Sequence, residues 1–290
     1  MNKNKNIAIL LIIGAAFFFA LMNLFVRLSG DLPLMQKCFF RNIVAFFAAA
    51  FTMIKERESV KIPKGSLKYL LGRSICGTLG ILGNFYAVGT LALSDASMLN
   101  KLSPFFAMIF SVWLVKEKAN ALEWSLVAIA FGGAMLIVKP KFNLNSIPGL
   151  CGFLGGMGAG AAYTFVRKLG QLKVKSSLII AFFSAFSCIA TLPSLIFNYH
   201  SMTLYQFLML MLAGVAASGG QFCITGAYKR APAKEISVFD YSQVIFAAVL
   251  GYIFLGQIAD IWSVLGYVII ISVAVIKWIY NMKKDENTAN

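Results

Sequence analysis

The chain has 290 residues, of which 59% are hydrophobic and only 13% charged, and a mean hydropathy of +0.78 excludes an ordinary soluble domain. The net charge of +15 would suit a nucleic-acid partner, but the cations are spread over short segments and form no dense patch, so nucleic-acid binding is excluded as well. Apolar stretches of about 20 residues, enough to cross a hydrocarbon core of about 30 Å, recur along nearly the whole chain and predict an all-α polytopic membrane protein.

Ten transmembrane spans are predicted, at residues 7–26, 34–54, 67–91, 96–115, 122–138, 148–166, 178–197, 204–228, 236–255 and 261–279. Lys3 and Lys5 precede the first span as they would in a signal peptide, but the apolar run is too long and no small-residue cleavage site follows. The second span carries Arg41. In the third, one helix face at i, i+4, i+7 and i+11 reads Arg73, Gly77, Gly80 and Asn84. Helix packing explains small residues but not an arginine and an asparagine, so this face is expected to line a wet cavity. The fourth span holds Ser97, Asn100, Lys101 and Pro104. Without an N–H, Pro104 cannot bond the Asn100 carbonyl, so a hinge with a free acceptor is predicted beside Lys101. Gly152, Gly156 and Gly160 of the sixth span form two successive GxxxG units, which read as close packing. Polar faces return at Gly214, Ser218, Gln221 and Thr225 in the eighth span, and at Ser237, Asp240, Tyr241 and Val244 in the ninth.

The cations set the sidedness. With the N-terminus placed inside, nineteen lysines and arginines fall on that side, and only Arg27, Lys37, Lys139 and Lys141 fall on the other. Cytoplasmic loops retain Lys and Arg, so both termini are expected in the cytoplasm and the protein in the cytoplasmic (inner) membrane. Five spans per half would send the second half into the bilayer upside down, which is the inverted-repeat design. The halves are 1–140, and 141–290 with a short C-terminal tail. At an offset of 140, residues 93–117 fall on 233–257 with only Ser97/Ser237, Phe106/Phe246 and Ala107/Ala247 identical. The matching polar faces of spans three and eight, and of four and nine, carry the correspondence better than identity does.

Arg41, Arg73, Lys101 and Asp240 are the ionisable groups expected deep in spans, where each costs roughly 2.5–3.5 kcal/mol to insert. The bland account is snorkelling of the long cationic side chains to the headgroups. Asp240 is too short for that. Its expected depth, near the inner third, matches Arg73, so it either balances Arg73 or takes up a proton during a transport cycle. Lys101 and Arg41, nearer the outer side, are expected to draw in an anionic group. Asn84, Asn100 and Gln221 would add hydrogen bonds, and Tyr86, Tyr163 and Tyr241 aromatic walls. No catalytic constellation accompanies them: the only histidine, His200, falls in a predicted outer loop, and there is no Walker motif. The five cysteines lie in spans without paired spacing, so no disulfide, metal or cofactor is expected.

The span-four stretch SDASMLNKLSPFFAMIFSVWLVKEK, its second-half counterpart EISVFDYSQVIFAAVLGYIFLGQ and Arg41 resemble the drug/metabolite transporter superfamily, in particular its ten-span EamA-type members. The resemblance spans about residues 7–280 and specifies a fold family much better than a substrate. One departure is Gln257, which stands where the first half has Glu117. The resemblance implies alternating-access transport of a small metabolite, often an amino acid or related compound. It also implies a cavity among spans one to four and six to nine, with five and ten as outer scaffold. The leading expectation is thus a secondary transporter, as exporter, of a small anionic or zwitterionic metabolite whose anionic group is held by Arg41, Arg73 and Lys101. Alternatives are an uptake or exchange carrier for a nucleoside-like metabolite such as S-adenosylmethionine, and a non-transporting scaffold subunit whose buried charges only lock helices together. The partners expected are a small-molecule substrate and the lipid bilayer, with proton coupling and a homodimer both compatible with the sequence. A central cavity reached by the cations would favour transport, and dry Arg–Asp pairs would favour scaffolding.

Overall fold

In hydrocarbon every backbone N–H and C=O must find its partner within the protein, which leaves helices as the way for so apolar a chain to cross. The computed structural model describes residues 3–57, 61–114, 120–138, 146–228 and 237–289, and those residues are almost wholly helical. The helices are α1 (Lys3–Leu28), α2 (Leu34–Lys55), α3 (Leu67–Thr90), α4 (Leu93–Asn100), α5 (Ser103–Leu114), α6 (Ala121–Val138), α7 (Ile147–Gln171), α8 (Ser176–Phe197) and α9 (Leu204–Tyr228). A 3₁₀ turn (Ser237–Tyr241), α10 (Ser242–Leu255) and α11 (Ile261–Ala289) follow.

Among the described residues, seven helical segments are long and apolar enough to span a bilayer: α1, α2, α7, α8, α9, α11, and α10 taken together with the 3₁₀ turn before it from Val238. The other three predicted spans fall short for visible reasons. α3 is 24 residues long but carries the polar stripe, span four is cut in two, and the apolar stretch of α6 runs only from Trp124 to Ile137. The boundary between the halves at 140/141 lies outside the described residues. So do Glu117 and, among the cations used for sidedness, Lys116, Lys118, Lys139, Lys141, Lys229, Arg230 and Lys234.

Span four corrects the hinge expectation. Instead of kinking at Pro104, the helix ends at Asn100, turns through Lys101 and Leu102, and restarts at Ser103. The amides of Lys101 and Leu102 close the last turn onto Ser97 and Leu99, while Phe106 N–H bonds the Leu102 carbonyl to open the next helix. Pro104 therefore sits in the first turn of α5, where a missing N–H costs nothing. Span nine is irregular at the corresponding place: its 3₁₀ turn ends at Tyr241 before α10 begins.

The packing pairs map onto each other when the halves are exchanged. α3 packs on α7 as α1 packs on α9; α5 packs on α7 as α10 packs on α1; α2 meets α9 as α3 meets α8. Three further contacts join corresponding spans directly: α2 with α8, span four with span nine through α4 and α10, and α6 with α11. This is the arrangement of two inverted five-span repeats. α6 and α11 join α4, α5 and the 3₁₀ turn in an apolar cluster that includes Leu102, Phe105, Leu126 and Ile270. Within it the Phe106 ring lies 4.8 Å from Phe131 and 5.2 Å from Phe153.

α7 presents glycine on two faces. A Cβ on Gly156 would lie 2.5 Å from the Leu99 carbonyl oxygen, and one on Gly160 would lie 2.6 Å from that of Ser103, so α7 lies directly against the break in span four. On the other face, a Cβ on Gly155 would stand 2.8 Å from the Asn84 amide, and one on Gly83 would stand 2.6 Å from the Cys151 carbonyl oxygen. α3 and α7 thus touch backbone to backbone, as small-residue membrane interfaces allow.

The end of the bundle opposite the lysine-rich loops is tied by polar contacts. Gln36 Nε2 donates to the His200 carbonyl at 2.9 Å and its Oε1 accepts from His200 N–H at 3.1 Å, joining α2 to the α8–α9 loop. Arg27 donates to the Val88 carbonyl at 2.8 Å, joining α1 to α3.

Candidate functional site

A cavity of about 90 Å³ lies in the middle of the bundle. Its walls come from spans one to four and six to nine, and α6 and α11 contribute nothing to it. Of the residues singled out from sequence, Arg41, Arg73, Asn84, Asn100, Lys101, Tyr163 and Gln221 line it together. Three do not. Tyr86 is 40% exposed away from the cavity, Tyr241 faces a smaller space beside Pro104, and Asp240 stands behind Lys101.

The span-three stripe explains how a guanidinium is held in so apolar a place. Arg73 lies along its own helix, with Nη1 occupying the room that a side chain at Gly77 would need. Its Cζ stands 3.7 Å from the centre of the Phe183 ring, a cation–π contact that brings α8 to the site. Gly80, one turn on, serves packing: a Cβ there would lie 2.9 Å from the Ala159 amide of α7. One glycine of the stripe therefore makes room for charge and the next for a neighbouring helix.

Arg41 is buried in α2 and donates through Nη1 to Asn42 Oδ1 at 2.6 Å, while Asn42 is itself anchored to the Cys38 carbonyl at 2.9 Å. Neither guanidinium has a carboxylate partner among the described residues. Arg41 Nε and Arg73 Nε and Nη1 are buried without any hydrogen-bond partner. An arginine in a membrane interior normally pairs with a carboxylate or meets water, so two guanidiniums without an ion-pair partner among the described residues set this cavity apart from the apolar packing around it.

Asp240 is placed differently from its expectation. It does not balance Arg73, because Lys101 Nζ reaches Asp240 Oδ2 at 2.6 Å. Lys101 was expected near the outer third and Asp240 near the inner third, yet the irregular segments of spans four and nine bring them to one level. Tyr241, next to Asp240, donates its hydroxyl to the Lys101 carbonyl at 3.1 Å and so caps a group that the broken helix leaves open. The lysine expected to bind substrate with Arg41 is thus already neutralised across the repeat interface.

Two polar cavity residues went unnoticed in the sequence, Asn23 and Gln243, as did the aromatic wall residue Phe183. Asn23 is buried, accepts from Asn84 Nδ2 at 3.1 Å and donates to Ser97 Oγ at 3.3 Å, so one polar chain runs from α3 through α1 to α4. A signal for it was available: Asn23 is the only amide inside the first apolar run. Gln257 also gains a role. Its Oε1 accepts from the Leu93 amide at 2.9 Å, capping the start of α4 from the other half.

A larger space of about 520 Å³ opens beside the cavity, between the second half of α2, the start of α8 and the second half of α9. Gln221 lines both spaces, and Thr52, Glu56, Lys175, Ser176, Ser177 and Ser218 supply the polar rim of the larger one. It lies at the end of the bundle where α2 finishes at Lys55 and α8 begins at Ser176.

The EamA-like transporter family matches residues 6–139 and again residues 147–277. The pseudopaline exporter CntI of Pseudomonas aeruginosa is 29% identical over 268 residues, covering 91% of this chain and 93% of its own. Human solute carrier family 35 member G1 is 25% identical, covering 93% of this chain and 79% of its own. A solved crystal structure with 16% identity superposes with a TM-score of 0.68 over 93% of this chain and 96% of that one, a likeness of fold. The chain is a multi-pass membrane protein and belongs to the EamA-like transporter family.

Proposed function

We propose that the chain is a secondary active transporter that exports a small anionic or zwitterionic metabolite, such as an amino acid or a related compound, from the cytoplasm by alternating access. The observation that carries this reading is the pair of buried guanidiniums, Arg41 and Arg73, facing a central cavity with no carboxylate among the described residues to neutralise them. A scaffold held by internal ion pairs would instead have matched these charges with aspartates. Access from the cytoplasm is supported by the space beside Gln221, which lies toward the lysine-rich end expected there, while Gln36 and His200 tie the opposite end. A relative of similar length is itself named an exporter.

The test is flux in proteoliposomes across a panel of labelled amino acids and nucleoside-like metabolites. At least one anionic or zwitterionic compound is expected to move, and Arg41→Gln and Arg73→Gln are each expected to slow it by about tenfold or more, the loss of one charge-assisted contact. Unchanged flux in both variants would remove the arginines from the site. Sidedness is checked separately with reporter fusions. A fusion after Lys284 is expected to report cytoplasm and one at His200 the opposite compartment; the reverse pattern would overturn the proposed orientation.

A further inference from the structure

Resting on the carrier reading above, we propose that the substrate carries two separate anionic groups, one for Arg41 and one for Arg73, and a hydrogen-bond donor for Asn84. The charge balance of the site leads there. Asp240 neutralises Lys101 at 2.6 Å, and among the described residues no aspartate or glutamate lines the cavity, so the two guanidiniums keep their positive charges there. A single carboxylate would leave one of them buried and uncompensated, the costly condition for a charge at membrane depth.

The guanidiniums are also positioned independently of each other. Arg73 is held by Phe183 and by the gap at Gly77 on α3, whereas Arg41 is held by Asn42 on α2. Each keeps buried N–H groups without a protein partner, Nε in Arg41 and both Nε and Nη1 in Arg73, and each side chain lines the cavity in its own right. The third feature has the opposite polarity. Asn84 Oδ1 is a buried acceptor without a donor, while its Nδ2 donates to Asn23 Oδ1 and Asn23 Nδ2 to Ser97 Oγ. An amine or hydroxyl on the substrate would satisfy it. Orphaned donors on two cations and one orphaned acceptor describe an amino- or hydroxy-dicarboxylate rather than a neutral zwitterion.

The full-length protein, purified in detergent, is to be titrated with aspartate and glutamate, their monoamides asparagine and glutamine, the amine-free succinate and glutarate, and inorganic phosphate. The acidic amino acids are expected to bind about tenfold more tightly than their amides, since about 1.4 kcal/mol corresponds to one decade of affinity. Succinate and glutarate are expected between the two. Arg41→Gln and Arg73→Gln should each bring the acid-to-amide ratio near one, and Asn84→Leu should abolish the advantage of the amino compounds over succinate and glutarate. Should a variant fail to fold, the ratios measured on the unaltered protein decide alone. Amides that bind as tightly as acids would overturn the two-anion inference and leave the carrier reading standing. So would phosphate binding more tightly than every dicarboxylate, because one dianionic group would then suffice. Absence of binding by every probe would likewise overturn the two-anion inference, while the carrier reading is decided by the flux panel.

Discussion

Asp240→Asn is expected to destabilise the folded protein by about 3 kcal/mol, the usual cost of leaving one partner of a buried ion pair unmatched. Lys101 is the group left behind. Its side chain is 6% exposed and that of Asp240 14%, so water cannot take over the role of the carboxylate. The effect should be read by unfolding in detergent, and the double variant Lys101→Met/Asp240→Asn should recover most of the loss, since a neutral pair of similar volume is tolerated where a lone charge is not. The pair joins the irregular segments of the two halves, 139 residues apart, so a weaker pair should also loosen α4 from α10. If Asp240→Asn instead leaves stability unchanged and abolishes only pH-driven flux, the carboxylate is a proton carrier, and Lys101 is free for substrate.

Gly160→Leu is expected to be as damaging, lowering stability by at least about 2 kcal/mol or preventing accumulation of folded protein, as overpacking against rigid backbone does. A Cβ at this position would lie 2.5 Å from Phe106 Cβ, 2.6 Å from the Ser103 carbonyl oxygen and 2.9 Å from the Ala107 amide, and two of these three are backbone atoms that no rotamer can withdraw. α7 would have to retreat from the very turn that carries Lys101 into the cavity. Gly132→Ala on α6 is the control. Nothing lies within 4 Å of a Cβ there, so the exchange should be neutral or stabilising by up to about 1 kcal/mol through helix propensity. Equal stabilities for the two variants would mean that α7 and α5 are not in close contact.

Much of this molecule is written locally. A run of about 20 apolar residues determines a span wherever it occurs, because the cost of exposing backbone to lipid is settled within the segment. The Lys and Arg distribution determines an expected orientation for the same reason. The stripe of Arg73, Gly77, Gly80 and Asn84 was legible too, since one helix face is a local property. What it does was not: that Gly77 makes room for the Arg73 guanidinium while Gly80 admits α7 depends on which helices stand opposite. The partner of Asp240 was lost at the same step. Depth along a straight helix pointed to Arg73, but the break after Asn100 and the 3₁₀ turn at Ser237–Tyr241 bring Lys101 to it instead. Asn23 could have been noticed as a lone amide in a greasy run, yet its bonds to Asn84 and Ser97 exist only once α1, α3 and α4 converge. The sequence by itself determined how many charges enter the membrane; the tertiary structure decided which of them are cancelled and which remain. Pairing is a matter of ångströms between segments far apart in the chain, and hydrophobicity, which places each segment in the bilayer, carries no information about its neighbours.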